Sequence, residues 1–212
     1  MSTLDRQRVV EVSTVEAYEH GQTLFGEGEA AESFINVITG RVKVFKHMPG
    51  GRSVILHIMT VGDPIGAVAA FEGRPFPASA VALEHTTCLV IPRQAFFKLL
   101  QECPTLMSGV LSSLTVRLIE LTDRLADLTG AQVETRFARL FLKLADQMGR
   151  PDRGGTLVPL ALSRQELADL TGTTIETCIR IMSRWGKDDV IRTEKDGFVL
   201  IDRKALLALT AP

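Results

Sequence analysis

Cysteine is scarce in this chain. Its three, Cys88, Cys103 and Cys178, are odd in number and far apart. No Cys-x-x-Cys pair occurs, so neither a disulfide framework nor a thiolate zinc site is indicated. Histidine is sparse as well: His20, His47, His57 and His85 are scattered and form no His-x-x-x-His pair. There is no P-loop and no nucleophile elbow. No enzymatic role, bound metal or cofactor is expected. No apolar run approaches the ~18 residues of a membrane span, and Met1 to Val10 is polar rather than signal-like. A cytoplasmic protein without a membrane partner is expected. Strong charge of either sign is also missing, since the net charge is −1, which weighs against wholesale coating of nucleic acid. Its distribution is uneven, however. Residues 129–212 hold 13 Lys and Arg against 11 Asp and Glu, whereas residues 1–128 hold 11 against 14.

What the chain does have lies mainly between Ser163 and Lys187. Ser163 with Glu166, and Thr173 with Glu176, each make a capping box and so each marks a helix start. Thr171-Gly172-Thr173 between them supplies the tight turn of a helix-turn-helix. On the second helix Ile175, Ile179 and Met182 share one side, while Glu176, Arg180 and Arg184 follow one another at helical spacing on another. Arginine can grip guanine O6 and N7 with two bonds, and a carboxylate can accept from cytosine N4. The alternative is a salt-bridged solvent face. The sequence that follows favours the first reading. Val190 to Thr193 and Phe198 to Ile201 flank Glu194-Lys195-Asp196-Gly197, a β-hairpin signal with Asp-Gly at its turn. A recognition helix followed by a hairpin is a winged helix, and double-stranded DNA is the expected partner.

A chain of 212 residues has room for about two modest domains. The first hundred residues read as short strands between glycine turns, at Val15 to Glu19, Gln22 to Phe25, Phe34 to Val37, Val42 to Lys46, Val54 to Met59 and Ala80 to Ile91. Pro49-Gly50-Gly51 is a strong turn, and the set suggests a β-roll. From Pro104 the period changes. Met107, Leu111, Leu114, Leu118, Leu121, Leu125 and Leu128 alternate between spacings of four and three, a repeat of about 3.5 residues. A helix packed on its own domain would show a wider stripe, so this narrow seam predicts a homodimer. Beyond a hinge at Thr129-Gly130, Val133 to Met148 is an amphipathic helix with Phe137, Leu140, Phe141 and Leu144 as its core face. Gly149 to Gly155 reads as a polar loop, Thr156 to Leu162 as a short strand, and Asp202 to Leu209 as a helix capped by Asp202. The expected fold is α+β: a β-roll sensor domain at residues 1–103, a dimerisation helix at 104–129, and a winged helix-turn-helix domain at 130–212.

These parts, in this order, resemble the Crp/Fnr superfamily of bacterial transcription regulators. The resemblance is carried by Gly21-x-x-Leu24-Phe25-x-x-Gly28, Phe34-x-x-x-x-x-Gly40-x-Val42-x-Val44, Val61-Gly62-Asp63-x-x-Gly66 and Ala78-Ser79-Ala80-Val81-Ala82. Its strongest carrier runs from Ser163-Arg164-Gln165-Glu166-Leu167-Ala168 through Glu176-Thr177-x-x-Arg180. The segment ahead of Gly21 is short for the family, so part of its usual N-terminal helix is expected to be missing. The resemblance implies that Glu176 and Arg180 read a G·C pair within a TGA-like core. Ile175 occupies the position that tunes preference, and an apolar residue there favours a TTGAT-like site. Ser163, Arg164, Gln165, Thr173, Thr174 and Arg184 would contact the DNA backbone and carry no sequence information. Ile179 departs from the family pattern. RNA polymerase is an implied partner.

The resemblance also places an effector pocket at Gly66, Ala67, Val68, Phe71, Ala78 and Ser79. Members that bind cyclic AMP use a glutamate just after that first glycine and an arginine just before the Ser/Thr-Ala pair, where this chain has Ala67 and Ala78. Burying a phosphate without a partner cation costs several kcal/mol, so cyclic-AMP binding of the usual kind is not expected. Arg74 and Glu72 read as solvated loop charges. The iron–sulfur type of sensor needs four cysteinates, more than the three cysteines present. A haem sensor has His20, His47, His57, His85, Cys88 and several methionines as candidate axial ligands, and a regulator set by its own abundance needs no special residues. A cyclic-nucleotide-binding module without DNA function would not explain the winged helix.

Overall fold

The computed structural model describes residues 3–48 and 53–210, the side chains of residues 127–129 excepted. The turn at Pro49-Gly50-Gly51 and the Leu128 side chain therefore lie outside the described residues. The chain forms two compact units, residues 1–120 and residues 121–212. Mixed helix and sheet, with strands concentrated in the first unit, agrees with the expected α+β class.

The first unit opens with helix α1 (Thr3–Glu11) and continues through β1 (Thr14–Tyr18), β2 (Thr23–Phe25), β3 (Ser33–Thr39), β4 (Val42–His47), β5 (Ser53–Met59) and β6 (Pro64–Ile65). Helix α2 (Ala67–Glu72), strands β7 (Ser79–Ala82) and β8 (Thr86–Pro92), and helix α3 (Arg93–Glu102) follow. Two antiparallel four-stranded sheets result, ordered β1-β8-β3-β6 and β2-β7-β4-β5. The sheets close on an apolar core that includes Val37, Val42, Ile65, Ala70, Ala80 and Cys88. A second cluster, with Phe34, Ile91, Phe96 and Leu99, packs α3 beneath them. Phe34 stacks on Phe96 with ring centroids 4.1 Å apart.

One expected strand is two. Ala80 to Ile91 breaks at Leu83–His85, because β7 pairs with β4 whereas β8 pairs with β3 and β1 in the other sheet. The Leu83 N–H donates to Arg41 O (2.9 Å) at the crossing, so the chain changes sheets without leaving that backbone donor unsatisfied.

Helix α4 (Pro104–Gly130) spans the division between the units. At its start Leu106, Met107 and Val110 pack on the α3 cluster. Met107 therefore faces its own domain, a correction to its place in the seam. Leu114 is half-buried, and Leu111, Leu118, Leu121 and Leu125 are exposed, Leu118 to 66 %.

The second unit continues with α5 (Val133–Met148), β9 (Arg150–Asp152), β10 (Gly155–Val158), α6 (Arg164–Thr171), α7 (Ile175–Lys187), β11 (Ile191–Glu194), β12 (Gly197–Leu200) and α8 (Arg203–Ala208). Its sheet is ordered β11-β12-β10-β9. The stretch from Gly149 to Gly155, expected to be a loop, contains β9, which pairs with β10. Phe137, Phe141 and Leu144 are buried as the amphipathic pattern requires, and Leu140 is half-buried. Phe141 meets Phe198 edge-on at 5.1 Å and Trp185 at 6.2 Å, contacts worth roughly 0.5–1.5 kcal/mol each beyond their burial. The Asp202 carboxylate caps α8 by accepting from the Ala205 N–H at 2.9 Å.

Candidate nucleic-acid interface

Helix α6 begins as its residues dictate. The Ser163 hydroxyl accepts from the Glu166 N–H (3.1 Å) and the Glu166 carboxylate accepts from the Ser163 N–H (3.0 Å), a complete capping box. The helix ends at Gly172, whose φ of 62° lies in the left-handed region that a side chain disfavours. Two arginines satisfy part-buried carbonyls at that end. Arg136 donates to Thr171 O at 2.8 Å, and Arg124 donates to Leu170 O at 3.2 Å. Burial lowers the pKa of Arg124.

The next helix starts one residue later than the sequence suggests. Thr173 spends its N–H on Ala168 O (3.0 Å), closing α6. Thr174 becomes the N-cap of α7, its Oγ1 accepting from the Thr177 N–H at 3.3 Å. The capping box read at Thr173 and Glu176 is corrected accordingly. Glu176 sits in the first turn, where its carboxylate complements the helix dipole. Hydrogen bonds from its own backbone and from Thr174 hold its pKa below the usual carboxylate value. Arg184 and Lys187 occupy the last turn, where positive charge is favoured.

The phase of α7 is set by what it buries: Cys178, Ile181, Met182 and Trp185. Ile179, expected to share one side with Ile175 and Met182, is exposed whereas Met182 is buried. Tertiary packing rotates the core face towards Cys178 and Trp185, which leaves Ile179 beside Glu176 and Arg180 on the outer face. Ile175 is half-buried. Among the described residues no ion pair joins Glu176 to Arg180, despite their favourable i, i+4 spacing. The salt-bridged face weighed against base reading is therefore not formed there. Arg184 does pair, with Glu134 of α5, and Glu134 also accepts a 2.9 Å hydrogen bond from the Trp185 indole.

The remaining residues expected at the phosphates lie at the start of α6, in the turn and at the start of α7. Arg164 donates to Thr193 Oγ1 of β11 at 2.9 Å and so ties α6 to the wing. Gln165 donates to Asp169 at 2.8 Å, while Ser163 and Thr174 serve as caps. In the wing Glu194 is paired with Gly197 across Lys195-Asp196, and Arg192 is neutralised by Glu194 at 2.9 Å and Asp152 at 3.9 Å. Sequence reasoning missed Arg124, Arg136 and Glu134, whose partners lie far away in the chain and are partly backbone carbonyls.

The expected effector pocket is only partly brought together. Ala67, Ala78 and Ser79 are buried, and Gly66 is left-handed with a φ of 68°. A Cβ on Gly66 would lie 2.4 Å from Phe76 Cε1, so the Phe76 ring takes up the space beside this glycine. Phe76 stacks on Phe25 with centroids 3.7 Å apart. The Ser79 hydroxyl accepts from the Glu27 N–H at 2.9 Å. Val68 and Phe71 point away and are exposed, a correction: on α2 only Ala67, Ala69 and Ala70 turn inward. Arg74 is 78 % exposed and 3.8 Å from Glu72, a solvated loop charge.

Comparison with known proteins agrees with both units. The cyclic nucleotide-binding domain family matches residues 15–103, and the Crp-like helix-turn-helix domain family matches residues 135–209. The cAMP-activated global transcriptional regulator CRP of Salmonella typhimurium is 30 % identical over 173 residues, covering 79 % of this chain and 80 % of that protein. A CRP-like cAMP-activated global transcriptional regulator of Mycobacterium tuberculosis is 29 % identical over 189 residues, 89 % of this chain and 84 % of that protein. The solved structure of FixK2 from Bradyrhizobium japonicum has the same fold, with a TM-score of 0.82 at 24 % identity over 95 % of this chain and 98 % of its own. A roll that matches the cyclic nucleotide-binding domain family, followed by a winged helix-turn-helix that matches the Crp-like family, together with the Salmonella relative, places the chain in the Crp/Fnr superfamily of bacterial transcription regulators.

Proposed function

We propose that this regulator works as a homodimer that reads a palindromic DNA site with a TGA-like core, and that it does so without bound cyclic nucleotide. The observation that carries the reading is the outer face of α7. Glu176 and Arg180 stand exposed and unpaired with each other on a helix whose opposite face is locked by Cys178, Ile181, Met182 and Trp185. A carboxylate accepting from cytosine N4 and a guanidinium gripping guanine are complementary to one G·C pair. Ile175 adds an apolar preference beside them. Ser163, Arg164, Gln165, Thr173, Thr174 and Arg184 take the backbone contacts that fix register.

Dimerisation through α4 is supported by the exposure of Leu111, Leu118, Leu121 and Leu125, with the half-buried Leu114 in the same seam. Two recognition helices then enter successive major-groove turns about 34 Å apart. RNA polymerase is the proposed protein partner, the cytoplasm the proposed setting, and no catalytic role is assigned. Independence from cyclic nucleotide is supported at the pocket itself. Relatives in Salmonella typhimurium and Mycobacterium tuberculosis are named as cAMP-activated. In this chain Ala67 and Ala78 supply neither acid nor cation, Ser79 is engaged by Glu27, and the Phe76 ring fills the space beside Gly66.

Selection from a random duplex pool, with purified protein, no effector and a stated near-physiological salt, tests the proposal. Enrichment of a palindrome containing TGA is expected. No enrichment without ligand, but enrichment once cyclic AMP is added, would overturn its effector-independent part.

A further inference from the structure

We infer that the first unit carries a second binding site, which takes a small monocarboxylic acid with an apolar body and holds its carboxylate on Arg93. The site is a cleft of about 480 Å³ lined by residues 30–32, 73–75 and 92–94. These belong to the β2–β3 loop, the α2–β7 loop and the start of α3, and none of them is among the residues expected at the effector pocket. The volume lies within the roughly 300–1,000 Å³ of small-molecule sites. Backbone bonds tie the walls together. The Gly28 N–H donates to Phe76 O (2.9 Å), the Phe76 N–H donates to Glu29 O (2.8 Å), and Ala30 bridges to Pro75. The Arg93 N–H joins the third wall by donating to Glu32 O at 2.7 Å.

Arg93 carries the inference. Its Nε donates to Ala70 O at 2.6 Å, and its Cζ lies 4.9 Å from the centre of the Phe97 ring. Gly73 leaves the room it needs, since a Cβ there would come within 2.8 Å of Nη2. The guanidinium is thus fixed before a ligand arrives, and little side-chain freedom is lost on binding. Among the described residues its Nη atoms donate to no protein acceptor, and no carboxylate lies within ion-pair distance of it. A half-buried cation with unspent donors is complementary to an anion, and the guanidinium fork meets a carboxylate with two parallel bonds. The rest of the lining narrows the ligand. Arg74 lies 3.8 Å from Glu72, and Glu32 is exposed. Arg93 is therefore the lining cation that remains for a ligand, and the nearby carboxylates repel a second negative charge. Ala30, Ala31, Pro75 and Pro92 bring no hydrogen-bonding side chain and suit a short hydrocarbon body.

The test uses the full chain and the series acetate, propionate, butyrate and valerate as probes. Binding is followed by saturation-transfer NMR, with sodium chloride holding the ionic strength constant. Saturable binding is expected, its affinity rising about fourfold per added methylene. Two variants locate it. Arg93→Gln removes the charged fork, and Ala30→Glu sets a carboxylate at the exposed edge of the cleft. Each should weaken valerate binding about tenfold or more, the worth of a hydrogen bond to a charged group. Ala30→Glu leaves the bond from Arg93 to Ala70 in place, and an unchanged circular-dichroism spectrum shows that each variant is folded. The inference is overturned if none of the four acids binds saturably, or if acetate and valerate bind equally well. It is overturned as well if both variants bind valerate as the wild type does, or if inorganic phosphate displaces valerate at lower concentration than acetate. No DNA enters the measurement, so these outcomes leave the reading of α7 untouched.

Discussion

The Trp185 indole donates a 2.9 Å hydrogen bond to Glu134, and the same carboxylate pairs with the neighbouring Arg184. One side chain of α5 thus fixes both the buried and the solvent-facing edge of α7 at its C-terminal end. Trp185 is 3 % exposed, so its N–H depends on this acceptor for satisfaction. Glu134→Ala leaves that donor buried and unmade, at a cost of about 1–3 kcal/mol. Thermal unfolding should show the loss, and Glu134→Gln, which retains an acceptor oxygen, should recover part of it. Equal stability of Glu134→Ala and wild type would contradict the assignment.

The exposed leucines of α4 make a second prediction. Leu118→Glu places two carboxylates against each other at the centre of a symmetric seam and removes apolar area from both copies. Sedimentation should show the wild type as a dimer and the variant as a monomer at the same concentration, with Trp185 emission unchanged. A variant that remains dimeric would move the interface elsewhere on the chain.

Thiol chemistry supplies a prediction about pH. Burial pushes the thiols of Cys88 and Cys178 up to about 11, Glu16 adding to the shift at Cys88 and Arg164 opposing it at Cys178. A raised acid pKa means the unfolded chain releases these protons first. The stabilisation is therefore complete below about pH 8.5, the ordinary thiol value. It is lost as pH climbs towards about 11. Native protein at pH 8 should leave both thiols unmodified by a thiol reagent while denatured protein reacts at once. Rapid native modification of either would show that its burial is incomplete.

Local signals were the legible ones. Ser163 and Glu166 announce a helix start because both hydrogen bonds lie within one turn, and the 3.6-residue pattern of Phe137, Phe141 and Leu144 reveals α5 with its own core face. The second capping box was misplaced by one residue because the Thr173 N–H is consumed by Ala168 at the end of the preceding helix. The side shared by Ile175, Ile179 and Met182 does not become the buried face, because Trp185 is drawn into the core by Phe137, Phe141 and Glu134 of α5, contacts that no periodicity within α7 records. Ala80 to Ile91 reads as one strand because no glycine or proline marks the passage at Leu83–His85. Helix α2, Ala-Val-Ala-Ala-Phe-Glu, is too short and too uniformly apolar to show a phase. At the ligand site the substitutions Ala67 and Ala78 were visible in sequence. The Phe25–Phe76 stack that accompanies them was not, since it joins residues fifty-one apart.

The central claim is that α7 selects a DNA sequence through Arg180. The most direct measurement is a salt-controlled titration of wild type and Arg180→Ala against the selected palindrome and a scrambled duplex. Specific binding by the wild type is expected to exceed its non-specific binding by roughly 10³ or more. Arg180→Ala should lose about 1–3 kcal/mol per half-site on the palindrome, bind the scrambled duplex almost as before, and remain a dimer. An Arg180→Ala protein that keeps the wild-type preference would contradict the account.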